Sequence, residues 1–214
     1  MNLGELRSLA KTLHYSLTGK MDIDDGQWDA FLNASARDIW LEMVALGGSR
    51  WAQDFDLVVT DGAGFFSGLP QDYHEILSLA YQSQTGEFIE LPYVNFQDRR
   101  QYNIGMGLTV VEPSAWTAVG NSSFFLLPTT AGNLNVRVTW IPTLTDMASD
   151  ADAPWSTRLP MFQALIAYGA VLTLTPANAA INLAKIEERT RSSLRNYLTT
   201  RQRSSRRIRD VSGD

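Results

Sequence analysis

Residues 175–202 read TPANAAINLAKIEERTRSSLRNYLTTRQ, and the chain then ends in the basic segment RSSRRIRDVSGD at 203–214. The Thr–Pro pair favours a helix start, because a Thr hydroxyl can cap the first turn and proline lacks an amide that would be unpaired there. Spacings of three and four then predict one narrow stripe on a polar helix, formed by Leu183, Ile186, Thr190, Leu194 and Tyr197. Such a helix needs a surface to pack against, and the basic segment is too polar to fold alone.

Charge is distributed unevenly along the 214 residues. Residues 1–184 hold 9 Lys and Arg against 19 Asp and Glu, a net −10, whereas residues 185–214 hold 9 against 4, a net +5. Opposite charges at the two ends predict that the basic end meets an acidic surface, either of a neighbouring copy or of another protein. A solvated basic tail is the alternative. The acidic body argues against tight binding of duplex DNA, which depends on clustered cations.

Composition excludes several classes of protein. The hydrophobic content of 44% is sufficient for a core, yet no apolar run approaches the roughly 20 residues that a membrane helix needs. The amphipathic N-terminus lacks the continuous apolar segment of a signal peptide. Without cysteine the chain has no disulfide and no thiolate metal site, which fits a cytoplasmic origin.

Helical periodicity marks both ends of the chain. A first helix is predicted from the spacing of Leu3, Leu6, Ala10, Leu13 and Leu17, and a second from that of Trp28, Phe31, Leu32, Ala36, Ile39 and Met43. A short polar connector between them predicts an antiparallel hairpin of helices. Residues 160–174 are apolar nearly all round, which predicts a helix buried within a bundle.

The period changes between these helical regions. Residues rich in β-branched and aromatic side chains, bounded by turn signals, predict strands at about 52–60, 74–82, 87–92, 109–111, 122–128 and 134–142. The turn TTAGN is expected to join the last two strands as a hairpin. We therefore predict an α+β fold, a helical bundle with an inserted antiparallel β module. The predicted parts are a bundle at 1–50 and 154–200, a β module at 51–142, an acidic linker at 143–153 and an extended basic docking tail at 201–214.

No motif predicts catalysis, a cofactor or a metal site. The glycines of DGAGFFSG at 61–68 miss the dinucleotide-binding spacing and favour a loop tip. His74-Glu75 lacks the second His of a zinc motif, and the acids at 22–25 are explained by helix capping. The acidic run at Asp146, Asp150 and Asp152 predicts a solvated linker, or a contact for a neighbour's arginines. The chain is not expected to be an enzyme.

Three tryptophans lie near the ends of predicted elements: Trp51, Trp116 and Trp155. Tryptophan is enriched in interfaces, so each is a candidate anchor at a protomer interface; packing beneath a loop is the alternative. A different class of function would use Trp116, Phe124 and Phe125 as a sugar-binding platform on the β module.

The order of motifs resembles that of bacteriophage head-to-tail adaptor (connector, head completion) proteins. The resemblance is carried by NLGELRSLAKTLH at 2–14, DDGQWDAFLNASARDIWLEM at 24–43, FFSGLPQDYHEILSLAYQ at 65–82, and the strand, acidic linker and helix of 136–174 before an arginine-rich helix. It covers nearly the whole chain, except for the stretch around 96–107.

The resemblance implies a ring-forming virion protein at the neck, with twelve copies between the portal and the tail. Such a ring lines the channel through which duplex DNA passes non-specifically, and it offers a platform to the next neck or tail protein. It also implies that the C-terminal segment docks onto the portal, through Arg195, Arg201, Arg203, Arg206 and Arg207. Another neck or tail component, such as a tail-tube or nozzle protein, is the alternative with the same class of partners.

Overall fold

The structure is a computed structural model that describes residues 1–60, 66–67, 73–98, 112–119, 123–128, 132–155, 159 and 162–211, with the side chains at 49, 66–67, 73, 119 and 201–211 left out of the description. The chain divides into two compact units, one formed by 1–48 and 144–214 and the other by 49–143. Among the described residues, no helix combines the length and apolarity needed to cross a membrane. The α+β class predicted from the sequence is confirmed.

The first unit is built from four helices. They are α1 (Leu3–Thr18), α2 (Asp25–Gly47), α3 (Ala164–Leu174) and α4 (Ala177–Val211). Asn2 caps α1 in a capping box with Glu5, and Asp24 caps α2 by accepting the amide of Gln27. Gly19 ends α1 at φ 71°, in the left-handed conformation that glycine adopts without a Cβ clash. These local signals explain where α1 begins and ends and where α2 begins.

The core of the helical unit follows the predicted stripes with some changes. On α1 the buried positions are Leu3, Leu6, Ala10 and His14, whereas the predicted Leu13 and Leu17 are half-buried. The His14 ring lies edge-on to Trp28, with centroids 5.6 Å apart, and its Nδ1 is 3.2 Å from Oγ1 of Thr175. Buried residues occur around much of α2, which is consistent with packing against the other helices of the unit. The buried positions of α2 are Trp28, Leu32, Asn33, Ser35, Ala36, Ile39, Trp40, Met43, Val44 and Gly47.

A close approach joins α2 and α3. A Cβ atom added at Gly169 would overlap the hydroxyl oxygen of Ser35, so a larger residue here would force the Ser35 side chain or the helices to move. Leu165, Ile166 and Val171 of α3 are fully buried. Residues 164–174 of the apolar segment therefore form a central helix of the unit, as its all-round hydrophobicity predicted.

The second unit is a pair of β-sheets. Its strands are β1 (Gln53–Val59), β2 (Phe66–Ser67), β3 (Tyr73–Gln82), β4 (Phe88–Leu91), β5 (Ala115–Val119), β6 (Ser123–Leu127) and β7 (Leu134–Pro142), after a 3₁₀ turn at Gly48–Trp51. One sheet has the order β1-β7-β3-β4 and the other β2-β6-β5, and every neighbouring pair is antiparallel. Trp116, Phe124 and Leu126 of the second sheet share one apolar core with Val136 and Val138 of the first.

The predicted hairpin between 122–128 and 134–142 is wrong. The two strands belong to different sheets: β6 pairs with β2 and β5, whereas β7 pairs with β1 and β3. Alternating apolar residues define the buried face of a strand but leave its partner undetermined, so adjacency in sequence is a poor guide here. The strand at 115–119 was not predicted, and the predicted piece at 109–111 lies outside the described residues.

A clasp, formed by residues 146–152, ties the chain back onto α1 and α2 after the β unit. The Asn33 side chain donates to the Met147 carbonyl at 3.0 Å and accepts the Met147 amide at 2.9 Å, and all four atoms are buried. The Leu3 amide donates to the carbonyl of Asp152 at 2.8 Å. These bonds place the returning chain as a fixed strap across the start of α1 and the middle of α2.

Ion pairs reinforce the clasp. Arg7 donates two hydrogen bonds to Asp29 of α2, at 2.7 and 2.8 Å, and a third nitrogen lies 2.9 Å from Asp150. Arg37 of α2 pairs with Asp146, with Nε 2.9 Å from the carboxylate. Two carboxylates of the acidic run, Asp146 and Asp150, thus contact arginines of the same chain while they remain more than half exposed to solvent.

We expect Asn33→Ala to destabilise the helical unit strongly. The substitution leaves the Met147 amide and carbonyl buried without a partner, which should lower the free energy of unfolding by about 2 kcal/mol. Asn135→Ala is the matched control, because the Asn135 side chain is exposed and donates to the side chain of Gln82. Urea unfolding followed by tryptophan fluorescence measures both variants; equal destabilisation would contradict the role of the clasp.

The turn inside the clasp predicts a pH dependence. The backbone amides of Ser149 and Ala148 donate to the Asp152 carboxylate at 2.7 and 2.8 Å, and they hold its pKa below the ordinary value of 3.8. Because folding favours the charged carboxylate, this contribution to stability is complete above the ordinary pKa and is lost as pH falls through the lowered value.

Asp152→Asn should therefore destabilise the protein at about pH 7, and the difference from wild type should shrink below about pH 4. Thermal unfolding across this pH range tests the sign. Asp22→Asn is the control, since Asp22 is exposed and makes no hydrogen bond to a described residue. A difference that grows on acidification would contradict the assignment.

Candidate docking surface

The helix α4 carries both the packing surface and the basic segment predicted from the sequence. Its buried side chains are Ala180, Leu183, Leu194 and Leu198, at helical spacing. Leu183 and Leu194 were predicted, whereas Ile186 was wrongly placed on the stripe and is 50% exposed. The stripe instead passes through the half-buried residues Glu187 and Arg191, which an apolar pattern does not reveal.

Between the two ends of the stripe, Glu42 of α2 holds two arginines of α4. Nη1 of Arg191 lies 2.7 Å from Glu42 Oε2, and Nε of Arg195 donates to Oε1 of the same carboxylate. Arg191 also donates from Nε to Glu187 Oε1 at 2.7 Å. Side-chain exposure is 15% for Glu42 and 27% for Arg191, so these charges are largely shielded from water and interact more strongly than a surface pair.

The charge of Arg191 is secured by this arrangement. Partial burial acts to lower the pKa of Arg191, but the hydrogen bonds and charges of Glu187 and Glu42 outweigh it and raise the pKa above its ordinary value. The guanidinium therefore stays protonated in the α2–α4 contact.

Beyond Leu198 the chain continues as one helix to Val211. This stretch includes four of the five arginines predicted to contact the portal: Arg201, Arg203, Arg206 and Arg207. Their side chains lie outside the described part of the structure. The fifth, Arg195, is 55% exposed and is engaged by Glu42, so a portal contact of Arg195 stays a prediction.

The three tryptophans proposed as interface anchors are buried in their own chain. Relative exposure is 7% for Trp51, 4% for Trp116 and 7% for Trp155. Little of each indole is left for a neighbour, and contact with another protomer stays a prediction. The sugar platform is wrong, because Trp116 and Phe124 lie in the core between the two sheets, and Phe124 has no exposed surface.

Sequence reasoning missed Glu42 altogether. It is one acid on the polar side of an amphipathic helix, and its partners follow 149 and 153 residues later in the chain. Arginines at i and i+4 on α4 were visible, but nothing in the spacing identifies the carboxylate that they share. Among the described residues no group of His, Asp and Glu could hold a metal ion.

We expect Glu42→Gln to loosen α4 from α2. Removing the carboxylate leaves Arg191 partly buried with one anionic partner and frees Arg195, which should cost about 1–2 kcal/mol in the free energy of unfolding. Hydrogen exchange of the α4 amides at 183–198 measures the effect directly. Asp146→Asn is the control, since the Arg37–Asp146 pair is about half exposed and should contribute less than about 1 kcal/mol.

Comparison with known proteins agrees with this arrangement of elements. A sequence model of the SU10 adaptor protein family matches residues 1–211. No curated protein matches the chain. The matched region includes both units and the whole of α4, and the family is one of structural components of the bacteriophage virion. The protein therefore belongs to the SU10 adaptor protein family, a family of bacteriophage head-to-tail adaptors.

Proposed function

We propose that copies of this protein form a ring, of twelve subunits by resemblance to other adaptors, between the portal and the tail. In this arrangement the helical unit faces the portal and the segment at 201–214 docks onto it, while another face offers a platform to the next neck or tail protein. The observation that carries the proposal is the continuation of α4 past its last described buried residue, Leu198, into a segment with five arginines.

Helical geometry supports docking by this segment. From 198 to 211 the helix is about 20 Å long, since each residue rises about 1.5 Å. Positions 203, 206 and 207 are spaced i, i+3 and i+4, so they share one side of the helix. Arginine is suited to such a contact, because its planar guanidinium can donate two parallel hydrogen bonds to one carboxylate.

The charge balance supports passage of DNA through the ring. Residues 1–184 have a net charge of −10, and an acidic wall would repel the phosphates of duplex DNA and let it slide. Non-specific binding needs clustered cations, and here these are concentrated in residues 185–214. The proposed location is the virion neck, after synthesis in the host cytoplasm.

Co-sedimentation with purified portal rings tests the proposal. Replacing Arg201, Arg203, Arg206 and Arg207 by Gln should weaken portal binding roughly thirtyfold, because four contacts of about 0.5 kcal/mol each would be lost. Raising the salt concentration should weaken the wild type more than the variant, since the contacts are ionic.

The matched control removes two charges from the same helix outside the docking segment. Lys185→Gln with Arg189→Gln should leave portal binding within about twofold of wild type. Equal loss in both variants would point to a general charge effect. If a chain that lacks residues 201–214 binds portal rings with the affinity of the wild type, docking by this segment is wrong.

A further inference from the structure

A small cavity opens between the end of α1 and the start of α2. It has a volume of about 180 Å³ and is lined by Lys11, His14, Lys20, Met21, Ile23 and Trp28. The buried rings of His14 and Trp28 lie on one part of its lining. Met21, at 75% exposure, is the most exposed large apolar side chain described, and with Ile23 and Trp28 it forms the apolar half of the lining.

The size of the cavity decides what it can hold. Pockets for cofactors and other small molecules measure about 300–1,000 Å³, which is well above the volume found here. An apolar cavity of about 150 Å³ takes one benzene ring. The cavity therefore suits a single aliphatic or aromatic side chain delivered by another protein segment, and the flexible thioether of Met21 can adapt to it.

The charge of the rim indicates which kind of protein segment can bind in the cavity. The chain has three lysines, and two of them, Lys11 and Lys20, line this cavity. Lys11 is paired with Asp25, whereas the Lys20 side chain makes no ion pair with any described residue. A fitting segment thus carries an apolar side chain with a carboxylate close by.

The tip of the β3–β4 hairpin has both groups. Glu87 and Ile89 are two residues apart, which puts them on the same side of an extended chain, about 6.6 Å apart. Ile89 is 43% exposed although it lies at the edge of an apolar sheet face, and the Glu87 carboxylate has no partner among the described residues. The turn is held by bonds from Ser83 to Glu87 and from Gly86 to Ser83, so the tip is preformed.

We propose that the cavity of one copy receives Ile89 of a second copy, with the second copy's Glu87 paired to Lys20. Two different surfaces meet in this contact, so repetition produces a head-to-tail series that can close into a ring. The inference rests on the proposed ring and names one of its subunit contacts. It assigns to the helical unit a second binding site, which is distinct from the docking segment.

Cross-linking tests the contact without disturbing it. Asp22 and Gln84 are exposed neighbours of the two surfaces, and the natural chain has no cysteine, so a short bis-maleimide reacts only with introduced thiols. An equal mixture of Asp22→Cys chains and Gln84→Cys chains, assembled on portal rings, should give a covalent pair of chains. A chain with both substitutions should give a ladder of higher multimers. Asp22→Cys with Ser192→Cys, at an exposed site on α4, is the control pair.

The outcomes separate the two proposals. Assembly on the portal without the covalent pair would overturn the subunit contact and leave the portal proposal standing. A covalent pair that forms without portal binding would support the subunit contact and overturn the portal proposal. Reaction within one double-substituted chain, with no product from the mixture, would show a contact inside a single copy and would also overturn the inference.

Exchanging the charges of Lys20 and Glu87 tests the same contact independently of cross-linking. Lys20→Glu alone, or Glu87→Lys alone, should raise the dissociation constant of self-association about tenfold, because attraction becomes repulsion. An equal mixture of the two variants should restore association, since each surface then meets its opposite charge. Lys185→Glu, which makes the same change away from the cavity, should leave association unchanged; failure of the mixture to recover would overturn the contact.

Discussion

The clasp between α2 and the returning chain is the interaction on which the helical unit depends. This unit is assembled from two segments, 1–48 and 144–214, that are separated by the whole β unit. Asn33 satisfies both backbone groups of Met147, and Arg7 and Arg37 hold the acidic residues on either side. Leaving a buried polar group unpaired lowers stability by more than a hydrogen bond adds to it. The Asn33 side chain therefore fixes where the strap at Met147 packs on α2.

Much of the fold was visible in the sequence because its signals are local. The caps at Asn2 and Asp24 define helix starts, and the change in apolar period from near four to two separates the helical from the β regions. The strand at Leu134–Pro142 was predicted with its observed bounds. The partners of the strands were not predictable in the same way, since β1 pairs with β7 some eighty residues later.

The candidate docking surface was predictable in part for the same reason. The polar helix and its basic end can be predicted because their residues are consecutive in the sequence. The carboxylate that holds the arginines of this helix lies on another helix and cannot be predicted in this way. Acidic residues at 146–152 were noticed, yet their arginine partners at positions 7 and 37 are over a hundred residues away. Long-range ion pairs are set by the fold, so composition shows that charges exist but not which of them meet.

The split helical unit also has a consequence for synthesis on the ribosome. Helices α1 and α2 emerge first, but the clasp follows about a hundred residues later and α3 later still. At about 5–20 residues per second, the apolar sides of α1 and α2 stay uncovered for roughly 5–20 s. During that interval the β unit, whose strands pair among themselves, can fold as a separate body. The β unit can therefore be complete before the second half of the helical unit has been synthesised.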